Sequence, residues 1–176
     1  QGNADQMTAM PQRYRWLDCL AEPRFAVGFL VGFCVLHFAI RCMLTPNFTL
    51  DESEQMLFSQ SLEWGYRFRH PPLITWIVWG TLNATGDSRI AFFLLKYVVM
   101  AAGLVAYYQA GRLVIRDDAL AALATIGLLS TVSIGYLPLI DLMHTVLLTT
   151  MLTALLWIVA RVVEFGRWRD YLLLGA

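Results

Sequence analysis

The run Phe25–Leu44 carries one formal charge, Arg41, and is long enough to cross a bilayer. A helix rising about 1.5 Å per residue needs about 20 residues for the ~30 Å hydrocarbon core. Three further runs of the same kind follow: Ile90–Val114, Ala119–Leu137 and Leu139–Ala160. In hydrocarbon every backbone N–H and C=O must find its partner inside the structure, so runs of this length are helices. With 58% hydrophobic and 15% charged residues and a mean hydropathy of +0.57, the chain could not cover its own surface in water. Soluble domains carry roughly 25% charge. The expected fold is all-α: a polytopic transmembrane helix bundle with a large external loop, 45–87, carrying short interfacial helices.

The charges lie between these runs. Thirteen basic and thirteen acidic residues cancel, so no global field points to nucleic acid, and no nucleic-acid partner is expected. Residues 1–24 are polar, hold Arg13, Arg15 and Arg24, lack a signal-peptide cleavage pattern, and read as a cytoplasmic tail. Placing that tail inside puts Arg112, Arg116, Arg161, Arg167 and Arg169 inside as well, against Arg67, Arg69 and Arg89 outside. The loop 45–87 and the turn before Asp141 then share the external compartment, where Asp51 and Asp141 can meet. A fifth run starts near residue 170. The opening without an initiator Met and the stop inside that run predict a piece of a longer protein.

Cys19, Cys34 and Cys42 have no metal-ligand spacing and read as reduced and structural, Cys34 and Cys42 as small hydrophobes inside an apolar run. In the loop, Asp51-Glu-Ser-Glu54 predicts a capped helix with Asp51 at the N-cap and Glu54 three residues on. Met56, Leu57, Phe58, Leu62 and Trp64 give it an apolar side suited to the membrane surface. His70-Pro71-Pro72 ends that helix and opens a second over Leu73–Trp79, too short to span. Trp64, Tyr66, Trp76, Trp79 and Tyr136 fall where an interfacial aromatic belt belongs. Asn47-Phe-Thr49 and Asn83-Ala-Thr85 match the glycosylation sequon.

The stretch Asp51-Glu-Ser-Glu-Gln-Met-Leu-Phe-Ser-Gln-Ser-Leu-Glu-Trp-Gly-Tyr66 followed by His70-Pro-Pro-Leu-Ile-Thr-Trp76 resembles the first external loop of the GT-C fold glycosyltransferases that use polyprenyl-phosphate sugars. Protein mannosyltransferases and aminoarabinose transferases (family 39) are among them. The resemblance runs from the first span to Ala176 and corresponds to the amino-terminal part of such an enzyme. It implies a sugar moved from a polyprenyl-phosphate carrier to a glycan, glycolipid or protein acceptor at the external face, with inversion. A bacterial inner membrane with a periplasmic site is the implied location.

By resemblance Asp51 is the loop acid, suited to take the acceptor hydroxyl's proton as general base. Glu52 is the second candidate. Asp141 matches an acid that lines the family's cavity, and His144 lies one turn later on the same predicted helix face. Arg67, Arg69 and His70 could stabilise the leaving phosphate. Relatives carry an acid before the His-Pro-Pro, where this chain has Arg69. No metal ligand set is assigned, and a divalent ion stays open through Glu63 or residues elsewhere.

Each residue also has a plainer use. Asp51 could serve only as a cap, Glu52 and Glu54 as solvated first-turn acids, and His70 as part of the turn. Asp141 could simply contact water at the boundary. Lys96 and Arg41, inside apolar runs, are expected to snorkel or to pair with a carboxylate. Two rival functions remain at this stage: a transporter or channel subunit with an ion path through Asp141 and Lys96, and an inactive membrane scaffold fragment.

Overall fold

A computed structural model describes residues 19–44, 47–66, 71–86, 89–141 and 143–175, without the Ile140 side chain. Among these residues every regular element is helical. Three helices are long and apolar enough to cross a membrane: α1 (Pro23–Leu44), α4 (Arg89–Ile115) and α7 (Met143–Phe165). Between α1 and α4 lie α2 (Leu50–Phe58) and α3 (Pro72–Thr85). Between α4 and α7 lie α5 (Asp118–Leu129), a π-helical turn Val132–Tyr136 and α6 (Leu137–Ile140), and α8 (Trp168–Gly175) follows α7.

The helix α4 is the hub, packing on α7, α5, α1 and α3. Its Tyr97, Met100, Leu104 and Tyr108 meet Ala26, Leu30 and Cys34 of α1 and Ala121 and Ala122 of α5 in one apolar core. Small residues let the helices approach: a Cβ on Gly103 would lie 2.6 Å from Thr150 Oγ1, and Thr150 donates to the Val99 carbonyl at 2.9 Å. In lipid, where burial against tails gives helices no drive to associate, such close contact and interhelical bonding hold the bundle. The outward faces of α1 and α7, with Val35, Leu36, Leu152 and Leu156 exposed, suit acyl chains. The protein is a multi-pass membrane helix bundle.

The expected span Ala119–Leu137 does not run straight. Its helix stops at Leu129 and the chain bends by 78° before Val132–Leu139 continues. Ser130 Oγ and Thr131 Oγ1 donate back to the carbonyls of Gly127 and Leu128, at 2.6 and 2.7 Å, taking acceptors the helix would need to go on. The returning chain then passes so close that a Cβ on Gly135 would sit 1.7 Å from the Leu129 carbonyl oxygen. Only glycine fits there.

The loop helices also differ in detail from expectation. Thr49, not Asp51, is the N-cap of α2, with Glu52 at the third position closing the capping box. The same S/T/D-x-x-E spacing fits both registers, and the burial of Glu52 selects the earlier one. Helix α3 starts at Pro72 as expected but continues to Thr85, where Gly86 at φ +80° ends it.

Ion pairs mark the end of the bundle away from α2 and α3. Arg112 holds Asp118 at 2.7 Å, Arg116 holds Glu164 at 2.9 Å and Arg161 holds Asp170 at 2.7 Å. The acids of interest lie at the other end.

Candidate active site

The first turn of α2 lies over the start of α4 and the end of α1 and buries Glu52 completely, at 0% exposure. Its Oε1 accepts from Lys96 Nζ at 2.9 Å, and its Oε2 accepts from Arg41 Nη2 at 2.5 Å and from the Thr49 N–H at 3.1 Å. Burial pushes the Glu52 carboxyl up, but the charge and hydrogen bond of Lys96, the Thr49 N–H and the Arg41 charge outweigh it and hold the group below its ordinary value. The guanidinium of Arg41 also lies over the Phe93 ring, 5.0 Å from its centroid, and donates to the Asn47 carbonyl at 3.1 Å. Two cations from two spans thus close on one anion from the loop. Glu52 is not the solvated first-turn acid that its position in α2 suggests.

Beneath this triad, Phe48 packs edge-on against Phe92 and Phe93 at 5.5 and 5.6 Å. Ile74, Val78 and Leu82 of α3 join Phe92, Phe93 and Met143 in a second apolar core. Gln55 Nε2 donates to Thr75 Oγ1 at 2.9 Å, fastening α2 to α3 in a buried position. The floor under the acids is therefore rigid.

Asp51 and Asp141 approach the same junction from distant parts of the chain. Asp51 Oδ2 accepts the Met143 N–H at 2.8 Å, so this carboxylate caps α7 rather than its own helix. Thr49 Oγ1 donates to Asp141 Oδ1 at 2.7 Å. Asp141 lies in extended backbone (φ −153°, ψ −156°) at the end of α6, held by its N–H to the Leu137 carbonyl at 2.9 Å. It precedes α7 instead of belonging to it: Asp141 is the extended C-cap of α6 and His144 belongs to α7, which begins at Met143, so the two do not share a helix face. One oxygen of each acid is engaged by a protein donor. Among the described residues no donor engages the second oxygen of either acid, which leaves it for chemistry.

His144, on the first turn of α7, lines a cleft of 370 Å³ with Pro71, Leu73 and Ile74 on one side and Thr145, Leu148 and Met151 on the other. The cleft runs along the apolar side of α7 from its first turn to Met151. Arg67, Arg69 and His70 lie outside the described residues. Among the described residues no three His, Cys, Asp or Glu side chains gather as a metal donor set.

The residues that sequence reasoning left out are Thr49 and, as part of the site, Arg41 and Lys96. Thr49-x-x-Glu52 is a capping-box pattern in its own right, and two cations inside apolar runs beside one acidic loop are a signal for a buried pair.

The sequence model of the dolichyl-phosphate-mannose-protein mannosyltransferase family matches residues 69–176. The chain is similar to the lipopolysaccharide core galacturonosyltransferase RgtA of Rhizobium johnstonii, 33% identical over 146 residues, covering 83% of this chain and 29% of that protein. It is similar to the lipopolysaccharide core galacturonosyltransferase RgtB of the same organism, 34% identical over 119 residues, covering 68% of this chain and 24% of that protein. The lipid A galacturonosyltransferase RgtD, again of that organism, is 29% identical over 95 residues, covering 53% of this chain and 20% of that protein. The chain thus spans less than a third of the length of these curated relatives. No solved structure matches it.

Proposed function

The chain belongs to the dolichyl-phosphate-mannose-protein mannosyltransferase family, and from that premise we propose that the protein is a membrane glycosyltransferase moving a sugar from a polyprenyl-phosphate carrier to an acceptor at the outer membrane face. The observation that carries the reading is the convergence of Asp51 and Asp141, each with one oxygen held by the protein. The names of the relatives make galacturonic acid the first sugar to test and a lipopolysaccharide core or lipid A the first acceptor. A bacterial inner membrane with the junction facing the periplasm fits the arginine distribution.

Asp51 is the general base in this reaction. Its Oδ1 takes the proton of an acceptor hydroxyl while Oδ2 stays on the Met143 N–H. The acceptor oxygen forms its bond to the anomeric carbon as the bond from that carbon to the phosphate oxygen breaks, and the polyprenyl phosphate leaves with the electron pair. A single displacement inverts the anomeric centre and needs no covalent enzyme intermediate. Asp141 orients the sugar or acceptor through its second oxygen. Arg67, Arg69 and His70 neutralise the departing phosphate.

The cleft between α3 and α7 supports a lipid-linked donor. His144 at its mouth suits a phosphate, and Leu148 and Met151 further down suit an isoprenoid tail. The rival ion-path reading loses its main support, because Lys96 is bound to Glu52 and Glu52 to Arg41. The test is transfer by the intact protein in native membranes, with polyprenyl-phosphate galacturonic acid as donor and lipid A or rough lipopolysaccharide as acceptor. Wild-type protein should transfer and Asp51→Asn should not. Full activity in Asp51→Asn removes Asp51 as base.

A further inference from the structure

Thr49 touches both the buried triad and a junction acid. Its backbone N–H donates to Glu52 Oε2 at 3.1 Å, and its hydroxyl donates to Asp141 Oδ1 at 2.7 Å. Through Glu52 it is tied to Arg41 and Lys96, and so to α1 and α4. Asp141 needs such an anchor. It is the extended C-cap of α6, tied to that helix only through its own N–H on the Leu137 carbonyl, and the Thr49 hydroxyl is what orients its side chain.

A hydroxyl has a single proton, and here it is committed to Asp141, which selects which carboxylate oxygen faces the protein and which faces the junction. Because the backbone of Thr49 is clamped by a charge cluster shared between two spans, the hydroxyl has a fixed origin. We propose that Thr49 is a positioning residue of the transfer reaction, acting through Asp141 by transmitting the rigidity of the buried triad to a carboxylate on otherwise irregular chain. This rests on the reading of Asp51 and Asp141 as the reacting acids.

Thr49 is also the N-cap of α2, so the test must separate donation to Asp141 from capping. Aspartate and serine both cap well, but aspartate has no proton to give and sets a like charge against Asp141. In the intact protein, assayed with polyprenyl-phosphate galacturonic acid and lipid A, Thr49→Ser should keep kcat within about twofold. Thr49→Asp should lose at least about tenfold in kcat, the scale of a lost hydrogen bond to a charged group, with the donor KM within about twofold and the thermal unfolding temperature retained. A Thr49→Asp protein with wild-type kcat overturns the proposal.

If the added charge blocks membrane insertion, Thr49→Val, of the same shape and without a donor, should show the same fall in kcat, and wild-type kcat there is equally fatal. Asp141→Asn in the same assay tells the two ideas apart. Full activity in that variant sinks the role of Asp141 and this proposal with it, whereas loss of transfer there with retained kcat in both Thr49 variants sinks Thr49 alone.

Discussion

The carboxylate of Asp51 holds the backbone N–H of Met143, 92 residues further along the chain, at 2.8 Å. A side chain at the start of a surface helix thereby caps a membrane-spanning one, and the bond accounts for only one of its two oxygens. Capping and catalysis are compatible in this geometry.

Asp51→Asn and Asp51→Ala should therefore diverge. The asparagine carbonyl can still accept the Met143 N–H, so folding should be nearly unchanged while transfer falls by about 10²- to 10⁴-fold, the usual worth of a positioned base. Alanine should lose transfer to the same extent and also cost about 1 kcal/mol of stability, the scale of a lost cap. Paired transfer assays and thermal unfolding in detergent check this, and equal unfolding temperatures for the two variants would contradict the cap.

Glu52→Gln should act first on the fold. It leaves Arg41 and Lys96 buried against a neutral amide, and breaking a buried ion pair from one side costs about 3–5 kcal/mol. The variant should accumulate poorly and unfold at lower temperature. A Glu52→Gln protein as stable as wild type would mean that the triad contributes nothing to stability.

The same residue sets an acid limit. Its carboxyl is held below its ordinary value of 4.5, so the folded state binds this proton more weakly than the unfolded state. Its stabilising contribution is fully present above about pH 4.5 and is lost as pH falls through the lower folded value. Unfolding temperature measured from pH 6 downwards should decline below about pH 4.5, and the part of that decline due to Glu52 should vanish in Glu52→Gln.

Gly103→Leu should separate α4 from α7. Even a Cβ there would lie 2.6 Å from Thr150 Oγ1 and 3.1 Å from its Cα, so a larger side chain forces backbone apart. The expected cost is about 1–3 kcal/mol or more, with activity lost in proportion to folding, read by detergent unfolding and transfer on the surviving fraction. Unchanged stability would show that the two helices do not meet at this level.

Much of the architecture was legible in the chain because hydrocarbon thickness fixes helix length: α1 and α4 follow from apolar run length, α7 does so with its start moved from the expected Leu139 to Met143 by the break at Asp141, and Pro71-Pro72 marks the start of α3. The bend after Leu129 was not, because hydropathy adds up residues and does not register that Ser130 and Thr131 turn their hydroxyls onto helix carbonyls or that Gly135 must pass over Leu129. Asp51 and Asp141 are singled out in the sequence by the family resemblance, and the structure brings them to one junction. The fate of Glu52 was not legible. Its neighbours Ser53 and Glu54 are polar, and only the distant Arg41 and Lys96 determine that it is buried. Thr49 was hidden for a related reason, since one capping pattern overlaps another two residues along.

The Arg41–Glu52–Lys96 cluster also bears on how the protein is made. As synthesis proceeds, α1 brings Arg41 to the membrane, Glu52 emerges next, and Lys96 follows inside the most central span. A lysine at the centre of an isolated apolar helix adds about 2.5–3.5 kcal/mol to its insertion, and Lys96, eight residues into α4, carries part of that cost. When Glu52 is already seated beside Arg41, α4 enters toward a waiting counter-charge. Seating of the second long span and assembly of the acid junction are then coupled through one ion cluster.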